Sequence, residues 1–122
     1  MSDPRPDIAI GHVRLDVSNV ADSTAFFVKL GIRTIVEQDD FSVLELRGGT
    51  HLVLRNWEAP ESSPVGFDIM VDDIDAAYAK VKGYGMEVSD IRRGRIHDNF
   101  EVQTPDHRAL TINSSHAGDR AV

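Results

Sequence analysis

The chain repeats itself at an offset of 54 residues, and no other feature narrows the folds open to it so far. Residues 14–32, RLDVSNVADSTAFFVKLGI, lie over residues 68–86, DIMVDDIDAAYAKVKGYGM. Leu15 falls on Ile69, Val17 on Val71, Asn19 on Asp73, Val20 on Ile74 and Gly31 on Gly85. In each copy an alternating run ends at a Ser/Asn/Asp cluster suited to a helix N-cap, a helical stripe follows, and a glycine stands where a helix exit needs positive φ. Val20, Phe27 and Leu30 form the apolar stripe of the first helix, and Ile74, Ala77, Tyr78 and Val81 that of the second. Asn19 and Asp73 are the expected caps.

Three short strand signals come after each glycine. They cover 33–36, 41–46 and 51–55 in the first half, and 86–91, 100–103 and 109–113 in the second. Asp39-Asp40, Gly48-Gly49 and Pro105-Asp106 supply the turns between them. Each half therefore reads βαβββ, with module one over about 8–57 and module two over about 64–113. The stretch 56–66, NWEAPESSPVG, connects them, and 114–122 reads as a loose tail. The whole of 1–122 is one α+β domain, since this length carries one core but not two.

Composition removes several function classes. There is no cysteine, so disulfides, thiolate zinc sites and thiol nucleophiles are out, and any metal would need His, Asp or Glu. The net charge of −7 is the wrong sign for a phosphate-backbone partner, so no nucleic acid is expected. No run of about 18 apolar residues and no basic-then-apolar leader occur, so no membrane partner and a cytoplasmic location are expected.

The segments HVRLDVSNVADSTAFFVKLGI and FDIMVDDIDAAYAKVKGYGMEV, opening the two βαβββ units, make the chain similar to the glyoxalase/bleomycin resistance protein/dioxygenase family, or vicinal oxygen chelate superfamily. FEVQTPDHRALTI, residues 100–112, resembles that family's closing F-x-V-x-D-P-D-G-N-x-x-E-L segment, with departures at Thr104, His107 and Thr111. The resemblance runs over about residues 8–113. It implies two modules forming a concave mixed sheet, completed as a homodimer, and a small molecule as ligand. Many members hold one divalent metal for isomerisation, ring cleavage or group transfer, whereas others hold none and sequester a small molecule.

The same resemblance locates four metal-ligand positions, two per module. His12 matches the first. Gly66 occupies the position opening module two, Thr111 the closing glutamate position, and Val53 the remaining one, with His51 two residues away and usable only through a local register change. A catalytic metal needs about three protein ligands. The expectation is therefore no metal cofactor, with His12 and His51 as the pair any divalent ion would use. His97 and His107 lie in turn-like segments and are expected at the surface, and His116 in the tail is given no role.

Alternation turns Val13, Leu15 and Val17 towards the helix, and His12, Arg14 and Asp16 towards the concave side. By the repeat, Phe67, Ile69 and Val71 face the helix while Gly66, Asp68 and Met70 face the cleft. The last strands add His51, Val53, Arg55 and Trp57 from one half, and Ala109, Thr111 and Asn113 from the other. His12 is the candidate catalytic residue; Arg14, His51, Arg55, Trp57, Asp68, Met70, Thr111 and Asn113 are the candidate ligand-binding residues. Arg14, Arg55 and the histidines suit a carboxylate or phosphate, and Trp57 an aromatic or cationic group. Set against that, Arg14 and Asp68 can form a structural ion pair and Trp57 can plug a seam. Drug-sequestering relatives favour cationic ligands in acidic grooves, which agrees with the overall charge but not with these cleft residues.

Three functions remain open on the sequence. One is metal-free sequestration. A second is an enzyme of lyase, isomerase or dioxygenase type, using a degenerate metal site or His12 as general base with Glu45 or Glu101 beside it. The third is a structural dimer without ligand.

Overall fold

Asn19 and Asp73 start the two helices as the repeat requires. The Asn19 side chain accepts from the Asp22 N–H at 2.9 Å and that of Asp73 from the Ala76 N–H at 3.0 Å, each capping an otherwise unpaired first-turn donor. These helices are α1 (Val20–Leu30) and α2 (Ile74–Gly83). Gly31 closes α1 at φ 117°, which a side chain would strain. The second helix departs from the repeat by one residue: Tyr84 caps it in right-handed geometry, and positive φ (78°) comes only at Gly85.

The computed structural model describes residues 3–122. Around the helices lie β1 (His12–Val17), β2 (Arg33–Glu37), β3 (Phe41–Glu45) and β4 (His51–Asn56). Module two has β5 (Ile69–Val71), β6 (Arg92–Arg93), β7 (Asp98–Gln103) and β8 (Ala109–Ser114). They form two four-stranded mixed sheets, ordered β1-β4-β3-β2 and β5-β8-β7-β6, so each module is βαβββ. The first strand of each lies parallel to the last, with Leu15 opposite Leu54 and Ile69 opposite Ile112. No described helix is long and apolar enough to cross a membrane.

Two expectations are corrected. The strand expected over 86–91 reduces to a single bridge, Val88 to Val102, before the two-residue β6. The Ser89 hydroxyl accepts the Glu101 N–H at 2.9 Å, taking a donor a continuous ladder would have used. The tail is docked at its start: the Ser115 N–H reaches the Val71 carbonyl at 2.9 Å, and Ala117 is buried.

One apolar cluster spans both modules, with Phe27, Leu44, Leu52, Leu54, Phe100, Val102 and Leu110 fully buried. Each side chain of this size contributes about 1.5–3 kcal/mol by leaving water. A polar pair buried among them is satisfied internally, the Thr24 hydroxyl on α1 donating to Ser42 on β3 at 2.8 Å.

Two reciprocal clasps join the modules. Ser18, just past β1, donates its N–H and hydroxyl to Asp106 in the β7–β8 turn. Asp72, the equivalent residue past β5, accepts both guanidinium arms of Arg47 from the β3–β4 turn, at 2.9 and 3.2 Å. Arg47 holds the Asp72 carboxyl below its ordinary range. The turn carrying Asp106 leads into β8, whose Ala109 carbonyl accepts from the Val65 N–H.

Ser42→Ala, which strands the buried Thr24 hydroxyl, is expected to cost about 1–3 kcal/mol in urea unfolding, and Thr24→Val combined with Ser42→Ala less than that. A double variant as unstable as the sum of the singles would show that the pair is not the reason.

Candidate functional site

The buried faces of β3 and β4 carry Ser42, Leu44, Leu52 and Leu54, and Ser42 is bonded to α1, so the odd-numbered residues of these strands lie on the face turned away from the helix. β1 joins them through its even-numbered residues. Three rows result, one beneath another.

The first row crosses all four strands: His12 is opposite His51, His51 opposite Glu45, and Glu45 opposite Arg33. The His12 and His51 rings meet edge to face, 5.5 Å between centroids. His51 Nε2 donates to Glu45 Oε2 at 3.2 Å, and Arg33 bonds the other carboxylate oxygen. The Arg33 guanidinium first, then His51, holds the Glu45 carboxyl below its ordinary value of 4.5. Glu45 is thus an anchored anion that orients His51.

The second row is Arg14, Val53, Val43 and Val36. The third sets Asp16 opposite Arg55 and Arg55 opposite Phe41. Arg55 Nε donates to Asp16 at 3.1 Å, and its guanidinium carbon sits 5.2 Å from the centre of the half-exposed Trp57 ring. Arg55 and Trp57 satisfy each other. Arg14 makes no hydrogen bond or ion pair among the described residues.

The remaining predicted residues gather on the other sheet. Asn113 Nδ2 donates to Asp68 Oδ2 at 2.6 Å, Met70 lies opposite Asn113, and Thr111 lies opposite Glu101, which Arg92 holds at 2.8 Å. Asp68 is therefore not the partner of Arg14; its carboxylate is taken by Asn113 within its own sheet. The predicted residues fall into two half-sites, one per module, and Glu101 belongs to the second.

Alignment of the two ladders shows where the repeat breaks. With Leu54 matched to Ile112, the module-two equivalents of His51 and Glu45 are Ala109 and Gln103, which also oppose one another, and the equivalent of His12 is Gly66. The histidine row exists in module one only.

The donor set does not fit a catalytic metal. His51 faces His12 in the regular register, without the local shift the sequence reading required, so two imidazoles are available. Glu45 lies on the far flank of His51, two strands and about 10 Å from β1. Among the described residues no three His, Cys, Asp or Glu side chains are arranged to hold a metal ion. His97 is half-buried rather than at the surface, with Nδ1 donating to the Ser114 carbonyl at 2.7 Å and its ring 5.1 Å from that of His116. His107 occupies the tight turn at φ 59°.

Two hollows lie away from these rows. One of about 500 Å³ sits at the start of α1 between Ser18, Asn19, Glu37 and Asn56; the other, about 250 Å³, lies between Leu30, Ile69, Ala77 and Val81. The three-row face itself is open in a single chain.

Arg33 and its grip on Glu45 were missed by sequence reasoning, though a signal was present. Glu45 and His51 are equidistant from Gly48, and a hairpin turning there sets them opposite each other.

A family model for the Glyoxalase/Bleomycin resistance protein/Dioxygenase superfamily matches residues 9–112. Among solved structures, the chain is similar to a lactoylglutathione lyase from Agrobacterium tumefaciens, with TM-score 0.76 and 13% identity over 95% of this chain and 100% of that one. It is similar to an antibiotic-binding protein from Streptomyces sp. CB03234, with TM-score 0.76 and 22% identity over 90% and 98%. An oxidase gives TM-score 0.72 and 16% identity over 90% and 95%. No match was found among curated proteins.

Glu45, whose carboxyl is lowered in the fold, contributes stability that is complete above its ordinary value of 4.5 and is lost as pH falls through the lowered one. Wild type is therefore expected to lose stability more steeply than Glu45→Gln between about pH 5 and pH 3 in urea titrations; parallel curves would refute the anchored carboxylate.

Proposed function

From its membership of the Glyoxalase/Bleomycin resistance protein/Dioxygenase superfamily, to which this chain belongs, we propose that it binds a small molecule on the open face of module one, without a metal cofactor, in the manner of a sequestering protein. The observation that carries this reading is the histidine row of module one. It keeps two imidazoles at one point beside the aliphatic middle row, while Gly66, Val53 and Thr111 occupy the positions that the family resemblance assigns to metal ligands. A surface that supplies hydrogen-bonding groups beside aliphatic ones, with only two imidazoles, recognises ligands better than it activates a metal-bound oxygen.

The functional unit we propose is a homodimer. β1 and β5 each pair on one side only, and Met70, on β5, is 49% exposed. Unpaired edges beside an open face suit cover by a second copy.

A second reading, proton transfer, draws on the Glu45–His51 contact, since a carboxylate that orients an imidazole is the usual support for a general base. In that reading His51 holds the oriented position and His12 lies at its ring edge.

Calorimetry against a small-molecule panel is expected to find saturable binding of one ligand per protomer. A chelator should leave it unchanged, His12→Ala should weaken it about tenfold, and the ligand should be recovered intact. Chemically altered ligand would favour the second reading, and loss of binding on chelation would sink the metal-free one. Sedimentation should give twice the chain mass.

A further inference from the structure

We infer that the ligand of this face is a flat, apolar monoanion of the aryl carboxylate class, its oxyanion on Arg14 and its ring over Val53, Val43 and Val36; this rests on the binding reading above. Five charged side chains lie in the three rows. Arg33 is bonded to Glu45, and Arg55 to Asp16. Those pairs cancel, and Arg14 is left as one uncompensated guanidinium at the edge of the middle row. One surplus positive charge matches one negative charge. A phosphate monoester dianion would bring a second negative charge towards Asp16, and a cation would meet Arg14 with no carboxylate free to receive it.

The floor decides the rest of the molecule. Arg14 is opposite Val53, Val53 opposite Val43, and Val43 opposite Val36, so the guanidinium opens on to three branched aliphatic side chains in a line. Across those three strands the line extends about 10 Å, room for a two-ring aromatic body lying flat. The two bordering rows close their polar groups on each other, through Glu45 with His51 and Arg33, and through Arg55 with Asp16. His12 is the exception: next to Arg14 on the same face of β1, it has no hydrogen-bond partner among the described residues except its ring contact with His51. A carboxylate on Arg14 therefore has a bidentate fork and an imidazole N–H within one alternate of each other. Trp57 does not offer its face to a cation as an empty cage would, because Arg55 already lies over it.

The test uses three probes of one shape, naphthoate, naphthamide and naphthamidine, titrated calorimetrically into the full-length protein. Trp57, the single tryptophan of the chain, serves as a fluorescence reporter at the border of the face. Naphthoate is expected to bind at least tenfold more tightly than the other two. Arg14→Met, which keeps the apolar stem, should bring naphthoate down to the amide, while Arg120→Met, in the C-terminal tail, should leave the preference in place. Amide or amidine binding as tightly as naphthoate, with competition at the same face lost in Val53→Asp, would overturn the anionic class and leave the binding reading standing. Preference for naphthoate that survives Arg14→Met, or no binding of any probe, would overturn the assignment to Arg14, and the panel titration above then judges the binding reading independently.

Discussion

With Leu52, Leu54 and Leu44 buried against Phe27, and Ser42 bonded to Thr24, the strands of the first sheet cannot slip by one residue without driving histidine and glutamate into the core. That constraint acts on the opposite face as much as on the core. Once Leu15 must oppose Leu54, His12 must oppose His51, and the hairpin around Gly48 then delivers Glu45 to His51 and Arg33 to Glu45. The polar row costs little to assemble, because its register is set by the aliphatic residues behind it. Its geometry is inherited, and a ligand meeting it pays little for ordering the protein.

The two modules use this inheritance differently. The aliphatic pattern is repeated almost residue for residue, so both sheets have the same order and the same parallel pairing of first and last strand. The exposed positions have diverged: glycine, alanine and glutamine stand in module two where module one has two histidines and a glutamate. Packing restrains the inward residues of a repeat and leaves the outward ones free to differ, so the places where the copies disagree are where a specific chemistry is carried.

The fold was legible because its signals are local. The caps at Asn19 and Asp73, the glycine at 31 and the alternation of 12–17 each point to one element with one orientation. The strand over 86–91 was not, because one hydroxyl, Ser89, displaces a ladder bond without altering the apolar pattern. Of the site, the exposed set on β1 and β4 was legible from alternation, whereas its pairings were not. Arg14 and Asp68 occupy equivalent positions and carry opposite charges, yet equivalence under a pseudo-twofold places residues on different sheets, and Asp68 finds Asn113 beside it first. Arg55 is the converse case: Trp57 lies two residues onward, where alternation places it, but its ion-pair partner Asp16 lies across a strand pair and depends on the parallel register.

The clasps carry this reasoning to the scale of the whole chain. Ser18 beyond β1 is held by the turn that leads into β8, and Asp72 beyond β5 by the turn that leads into β4. The two clasps are thus one contact made in both directions, each tying the residue beyond one module's first strand to a turn of the other module. The face bearing the histidine row is open, and β1 and β5 are each paired on one side only. Both clasps lie beyond strand ends, one a hydroxyl and N–H on a carboxylate and the other a bidentate ion pair, so they join the modules without occupying any group of the three rows.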